Sequence, residues 1–377
     1  MSDGPHSVSE VALSGFLVAS LVAWLLSHVS VNTSLGIDGA TGVQKFHVRP
    51  TSRLGGVAIV LGVFTGVYLS KEPISWLLTL CAIPVFAGGM CEDLTQRVGP
   101  NTRLILAIVS ASASYFWLGI GVHRTDVGTI DQLLKLPFAG YLMTMLVAAG
   151  FTNGVNIIDG FHGLAAGTAS IMMASFLAMA WQAGDAFMVQ LCGLSIACVA
   201  GFLIFNWPWG RIFLGDAGAY LLGFWIVEMG LLLVIRNPDI SPMAPVVVGI
   251  FPLIETLFTM YRRKFVRNHP VNHPDALHLH TLVYRRLVSS PIRHHTHALK
   301  NRANAQVAWY FWVPAAGFGA LAVTFQSRTS ILLVLMLAYL AIYVWLYRRL
   351  VQFRAPRWLV SPSNHSSWRG KQTDAKS

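Results

Sequence analysis

Residues Asn153 to Gly167 read N-G-V-N-I-I-D-G-F-H-G-L-A-A-G and lie between two long apolar runs, Leu136 to Gly150 and Leu164 to Trp181. Two amides, a carboxylate and an imidazole thus crowd into a short piece of membrane-type sequence. Polar groups at the end of a membrane helix are costly unless they meet water, a partner or a ligand. The glycines at 154, 160 and 163 let the backbone turn sharply or approach something large. A plain turn between two helices uses the same residue types, but it needs only two or three of them. The stretch reads as a binding site at the mouth of a helix bundle.

Outward from it the chain stays apolar. Of 377 residues, 54% are hydrophobic and 11% charged, with mean hydropathy +0.57, where a soluble domain carries about 25% charged residues. Runs long enough to cross a bilayer, about 20 residues each, fall near 11–31, 54–70, 74–91, 104–122, 136–152, 164–183, 186–205, 217–235, 243–261, 305–325 and 329–347. The expected fold is an all-α, polytopic membrane bundle of 10–11 transmembrane helices. It forms one domain over 1–350, followed by a basic tail over 351–377. The first run is kept as a span because Asp3 and Glu10, and no Lys or Arg, precede or open it. Cys81, Cys91, Cys192 and Cys198 lie in apolar runs without metal-type spacing and read as packed thiols.

The net charge of +11 has a distribution that excludes nucleic acid as the partner. With the N-terminus outside, in the periplasm, the inside segments are 32–53, 92–103, 153–163, 206–216, 262–304 and 348–377. These hold all the Lys and Arg except Lys71, Arg124, Lys135, Arg236 and Arg328. The positive-inside rule then sets the orientation in a bacterial inner membrane. The basic excess faces anionic lipid head groups and anionic substrates at the cytoplasmic side.

Polar motifs cluster on that same side. Lys45 to Gly56 reads K-F-H-V-R-P-T-S-R-L-G-G. Lys45, Arg49 and Arg53 are cations at head-group depth, and with Thr51 and the Gly pair they suit a phosphate seat. Glu92 and Asp93 are adjacent acids at the end of an apolar helix, where they oppose the macrodipole unless something compensates. They point about 100° apart, so one can act on chemistry while a cation such as Arg97 or Arg103 holds the other. Asp216, between Gly215 and Ala217-Gly218, reads as a helix N-cap or as a metal ligand. Asp93, Asp159 and Asp216 on one face suit a hard cation such as Mg²⁺, with water and substrate phosphate completing its shell. Glu255 is read as an ion pair with Arg262 or Arg263. The His-rich loop 262–304 contains H-P-D-A-L-H-L-H, His273 to His280. Its His278 and His280, near Arg285 and Arg286, read as donors to a diphosphate rather than as a zinc site, and the His-x-His spacing as a loop or strand.

In their order these motifs resemble the polyprenyl-phosphate N-acetylhexosamine-1-phosphate transferases. The matching stretches are Lys45–Gly56, Gly88–Leu104, Asn153–Gly167, Asn206–Gly223 and Pro252–Arg286. The resemblance implies transfer of a sugar 1-phosphate from a UDP-N-acetylhexosamine onto undecaprenyl phosphate at the cytoplasmic face. UMP is released, the cofactor is Mg²⁺ (Mn²⁺ being the alternative ion), and a cell-surface polysaccharide such as O-antigen is initiated. It places the catalytic acids on Asp93 and Glu92, and the nucleotide site on Asn153, Asn156 and Asp159. The metal aspartate falls on Asp216, assisted by Asn156, and the histidine motif on His278 and His280. Lys45, Arg49, Thr51, Arg53, Arg103 and His162 complete the expected substrate-binding set. Three positions depart from the family pattern: Glu92 where Asp is usual, His162 where Asp is usual, and Thr281 where a third His is usual. Two rival readings are an impaired relative kept as a scaffold and a membrane transporter. A transporter site sits near the midplane, whereas nearly all these acids lie at a rim, Glu228 excepted.

Overall fold

A computed structural model of the chain describes residues 7–33, 36–38, 50–266, 277–288 and 297–360. The fold is helical throughout. In chain order the elements are α1 (Val8–Thr33), β1 (Ile37–Asp38), β2 (Thr51–Ser52), α2 (Gly55–Ser70), α3 (Pro73–Cys81), α4 (Ile83–Thr95) and α5 (Pro100–Leu118). Then follow α6 (Gly128–Leu133), α7 (Ala139–Ile158), α8 (Leu164–Ala183), α9 (Ala186–Asn206), α10 (Gly215–Arg236), α11 (Met243–Val248) and α12 (Ile250–Tyr261). The last are α13 (Leu279–Val283), α14 (His297–Gln306), α15 (Trp309–Thr324) and α16 (Thr329–Val351).

Among the described residues seven helices are long and apolar enough to cross a membrane: α1, α7, α8, α9, α10, the stretch Leu299–Thr324, and α16. The chain is a multi-pass membrane protein. The bent pair α3–α4, kinked by 41°, makes an eighth span if it crosses as one. The runs near 54–70, 74–91, 104–122 and 243–261 are helical but do not pass alone. One is short (α2), one is bent at Ala82, one leaves the helix at Leu118 (α5), and one is broken at Gly249 between α11 and α12. Hydropathy registers an apolar stretch without registering a break inside it.

Helix α10 is the centre. It is buried without interruption from Gly215 to Gly230 and packs on α7, α4, α2 and α8. A helix apolar all round belongs in such a position. α1 lies outside, against α9 and α2, and half of its faces expose Leu13, Leu17, Leu21 and Trp24, as lipid contact allows.

Small residues set the distances at one end of the bundle. A Cβ on Gly56 would lie 2.4 Å from the Gly218 amide nitrogen, and one on Gly89 would lie 2.5 Å from Ala217 Cα. The first turns of α2 and α10 and the last turns of α4 therefore meet backbone to backbone. The short segment 50–54 is fixed there by pairing. Ser52 bridges Ile212, the Phe213 amide donates to Ser52 O at 2.7 Å, and the Gly55 and Gly56 amides donate to Phe213 O and Leu214 O at 2.9 Å each. Gly56→Val is expected to overpack this junction by about 1–3 kcal/mol and to lower the melting temperature of detergent-purified protein. Gly317→Ala, inside α15 where an added Cβ meets nothing within 4 Å, should not lower it.

Candidate functional site

The ends of α4, α5, α7 and α10 and the 50–54 segment converge on a cavity of about 1720 Å³. The polar side chains predicted from sequence that line it are Arg53, Glu92, Arg103, Asn153, Asn156, Asp159, His162, Asp216, His278 and His280. Lys45 and Arg49 lie outside the described residues. Thr51 is buried in β2 and is not among the side chains that line the cavity.

Asp93 is 1% exposed, and both its oxygens point at the start of α10. Oδ1 accepts the Asp216 N–H at 2.9 Å and Oδ2 the Ala217 N–H at 2.8 Å. Helix N-terminal N–H groups lack intrahelical partners and carry positive partial charge, so a carboxylate there is favoured. Arg53 Nε stands 3.3 Å from Oδ1. Asp93 is thus a cap supplied from another helix. Gly215, at φ +74°, lets the chain turn into it, and a Cβ there would sit 2.6 Å from Asp93 Oδ2. The cation beside Asp93 is Arg53, not the Arg97 or Arg103 expected for the held acid of the pair. Glu92 lines the cavity, with Oε2 accepting the Val98 N–H at 2.7 Å.

With its N–H given to Asp93, Asp216 turns its carboxylate to the cavity. Oδ1 accepts from Asn156 Nδ2 at 2.7 Å, and Oδ2 meets Arg103 at 2.5 Å and Arg53 at 3.6 Å. Arg103 also lies over the Tyr220 ring, 5.2 Å from its centroid. Burial opposes the charge on Arg53, but Asp216, Asp93, Asp38 and Asp159 together hold it above its ordinary value. Asp159 ends α7, half-open at the cavity mouth yet surrounded by protein. Burial, then the nearby Asp216 charge, pushes its carboxyl up to about 8.

Whether Mg²⁺ suits these donors follows from the same contacts. Among the described residues no three His, Cys, Asp or Glu side chains converge as a metal cage, and Asp93 turns its carboxylate to backbone N–H groups of α10. Asp216, with the Asn156 amide beside it and Asp159 close enough to feel its charge, fits a Mg²⁺ that takes one or two carboxylates and fills the rest with water and substrate phosphate.

The turn 159–163 is held by two asparagines. Asn206 Oδ1 accepts the Gly163 N–H, and Asn304 Oδ1 accepts the His162 N–H, each at 2.7 Å. His162 is 3% exposed, with Nδ1 3.3 Å from Pro208 O and its ring near Phe213. His278 and His280 stack in parallel, 5.3 Å apart at 6°. They stand at the start of a helix, α13, not in a strand or plain loop, and Thr281 lines the cavity beside them. Glu255 pairs with His278, Nδ1 to Oε1 at 3.0 Å, and not with Arg262 or Arg263 as expected. Arg262 instead donates to Leu277 O and the Tyr347 hydroxyl.

Sequence reasoning missed Asn304 and Tyr220. Tyr220 stands four residues after Asp216, so helical spacing places it on the same face and offered a signal. Asn304, 2% exposed, carries no local pattern.

Comparisons with known proteins bear out the resemblance read from the motifs. Residues 75–234 match the model of glycosyl transferase family 4. A Bacillus subtilis (strain 168) protein named "Probable undecaprenyl-phosphate N-acetylglucosaminyl 1-phosphate transferase" is 28% identical over 274 residues, 70% of this chain and 75% of that one. The "Undecaprenyl-phosphate alpha-N-acetylglucosaminyl 1-phosphate transferase" of Salmonella typhi is 27% identical, covering 72% of this chain and 75% of its own length. The "Phospho-N-acetylmuramoyl-pentapeptide-transferase" of Bacillus subtilis (strain 168) is 25% identical over 81% of this chain and 93% of its own.

Two predictions follow from the geometry. Asp93→Ala strands two buried N–H groups and should cost on the order of 1–3 kcal/mol, seen as a lower melting temperature. Glu92→Gln should leave that temperature unchanged. For Asp159 the folded-state carboxyl is raised, so the folded chain binds the extra proton and stability falls as pH rises from about 4 to about 8. Without divalent cations, Asp159→Asn should therefore melt higher than the parent at pH 8 and alike at pH 4.

Proposed function

From this likeness and this geometry, we propose that the chain transfers an N-acetylhexosamine 1-phosphate from a UDP-sugar to undecaprenyl phosphate, releasing UMP. The reaction takes place at the cytoplasmic face of a bacterial inner membrane and initiates a cell-surface polysaccharide. The names of the relatives support the acceptor and the reaction class. UDP-N-acetylglucosamine is the first donor to test, because N-acetylglucosaminyl stands in two of those names.

One observation carries the reading: the polar mouth and a long apolar groove are a single cavity. Its lining runs along α10 from Asp216 through Tyr220, Val227, Leu231 and Ile235 to Pro238, faced by Leu146 and Phe151 of α7 and Leu253 and Leu257 of α12. From Asp216 to Ile235, at 1.5 Å per residue, that is about 29 Å of helix, close to the roughly 30 Å hydrocarbon core of a bilayer. A long polyprenyl chain fits the groove, with its phosphate at the Asp216 end. A transporter would place its polar groups at mid-depth instead.

Phosphoryl transfer between two anions needs neutralisation and alignment more than covalent help. Arg53 and Arg103 offset phosphate charge, and Asn153, Asn156 and the 159–163 turn seat the nucleotide. An oxygen of the lipid phosphate bonds to the phosphorus bearing the sugar. The bond from that phosphorus to the UMP oxygen breaks, and its electron pair leaves with UMP. Glu92, facing the cavity, orients the incoming lipid phosphate, while Asp93 fixes the frame. Asp216 and Asn156 would hold Mg²⁺, which supplies charge neutralisation at the diphosphate when bound.

Membranes carrying the protein, given radiolabelled UDP-N-acetylglucosamine and undecaprenyl phosphate, should yield labelled lipid and UMP, and a chelator should stop both. Asp216→Asn should lower the rate by about 10²–10³-fold, the scale for loss of one charge-stabilising group. Undiminished turnover in that variant would overturn the metal assignment. No lipid product from any UDP-N-acetylhexosamine would favour the scaffold reading.

A further inference from the structure

Glu255 is wholly buried in α12, yet its carboxylate is fully used. Oε1 faces His278 Nδ1 at 3.0 Å and accepts the Leu279 N–H at 3.1 Å, while the Tyr343 hydroxyl donates to Oε2 at 2.8 Å. Three donors from two other elements thus meet one acid. A buried charge with such satisfaction is stable where an isolated one is not. As a structural staple it would tie the 277–288 segment and α16 to α12, and nothing more would be asked of it.

The identity of the partner points further. His278 lines the cavity, its ring is parallel to that of His280, and His280 abuts the Asp159–Gly160 turn, where a Cβ on Gly160 would sit 3.2 Å from His280 Nε2. An ionised carboxylate only accepts hydrogen bonds. Glu255 therefore fixes a proton on Nδ1 of His278 and leaves Nε2 as the nitrogen that can serve the cavity, accepting in the neutral ring and donating to an anion in the imidazolium. Thr259 Oγ1 lies 3.4 Å from the same Nδ1, so both groups near that nitrogen restrain the ring's rotation. A carboxylate behind an imidazole sets both its orientation and its proton placement, and it offsets the positive charge of a ring that donates from both nitrogens.

We propose that Glu255 is a positioning residue: it holds His278 so that Nε2–H is presented to an anionic phosphate oxygen of the ligand bound at Asp216. That the anion is the donor's diphosphate rests on the function proposed above; the dyad and its orientation do not. Arg53 and Arg103 face Asp216, and the imidazole pair lines the same cavity, with His280 beside Gly160.

The test is a double-variant cycle. Glu255→Gln keeps the shape and loses the charge; it should lower kcat by about ten- to a hundredfold, the range for removing the partner of a functional imidazole. His278→Ala should show a similar loss, and the double variant should be no worse than His278→Ala alone. The same cycle is read without turnover, as the melting-temperature shift that Mg²⁺ with UDP, or with inorganic pyrophosphate, gives the purified protein. Each single variant should lose the same share of that shift. Glu255→Asp, which keeps the charge, should fall between parent and Gln, and it serves if Gln does not fold. A fully active Glu255→Gln, or losses that multiply in the double variant, would overturn the proposal and leave the transferase reading standing. If the parent shows no transfer while the pyrophosphate shifts follow the cycle, the transferase reading falls and the role of Glu255 remains.

Discussion

Two backbone N–H groups at the first turn of α10 rest on the carboxylate of Asp93, a residue of α4. Much of the site depends on this contact. It supplies the negative charge that the buried N-terminus of a central helix requires. It compensates an acid that would otherwise oppose the dipole of its own helix. It also frees the Asp216 side chain from capping, so that this carboxylate faces the cavity with Asn156, Arg103 and Arg53 around it. Arg53 touches both acids and comes from a segment bridged to residues 212–214. Buried charges of this kind are tolerable together and costly apart. Helices α2, α4, α5 and α10 are accordingly held in one register, and the glycines at 56 and 89 make that close approach possible.

The same arrangement joins a polar site to an apolar groove along a single helix. The start of α10 gathers the charges, and the rest of its length, against α7 and α12, lines a space that water has little reason to fill. An amphiphilic ligand, with an anionic head and a long apolar chain, matches both parts at once. A small soluble anion would use only the first. The groove therefore bears on the class of acceptor, while the charges bear on the chemistry.

Several features were legible in the chain because they are local. Apolar runs become helices since the backbone must satisfy itself where water is absent, and those runs fell where expected. The polar stretch after α7 proved to line the cavity, as Asn153, Asn156, Asp159 and His162 all do. Breaks were less legible: Ala82 and Gly249 interrupt apolar stretches without changing their composition. Thr51 looked like a phosphate ligand among cations but is buried in a strand. Glu255 was matched to the nearest cations in sequence, whereas its partners are His278 and Tyr343, 23 and 88 residues away.

The sequence by itself determined that this is a helical, multi-pass membrane protein, because burial of backbone in an apolar medium allows few alternatives, and it singled out several side chains that line one cavity, Arg53, Asn156, Asp159 and Asp216 among them. Which of two adjacent acids faces the cavity, which cation each acid meets and which asparagine ties the histidine turn were decided only by tertiary structure. Those choices depend on helix rotation and on contacts between residues distant in the chain, such as Asp93 with Asp216 and His162 with Asn304. No local spacing encodes them.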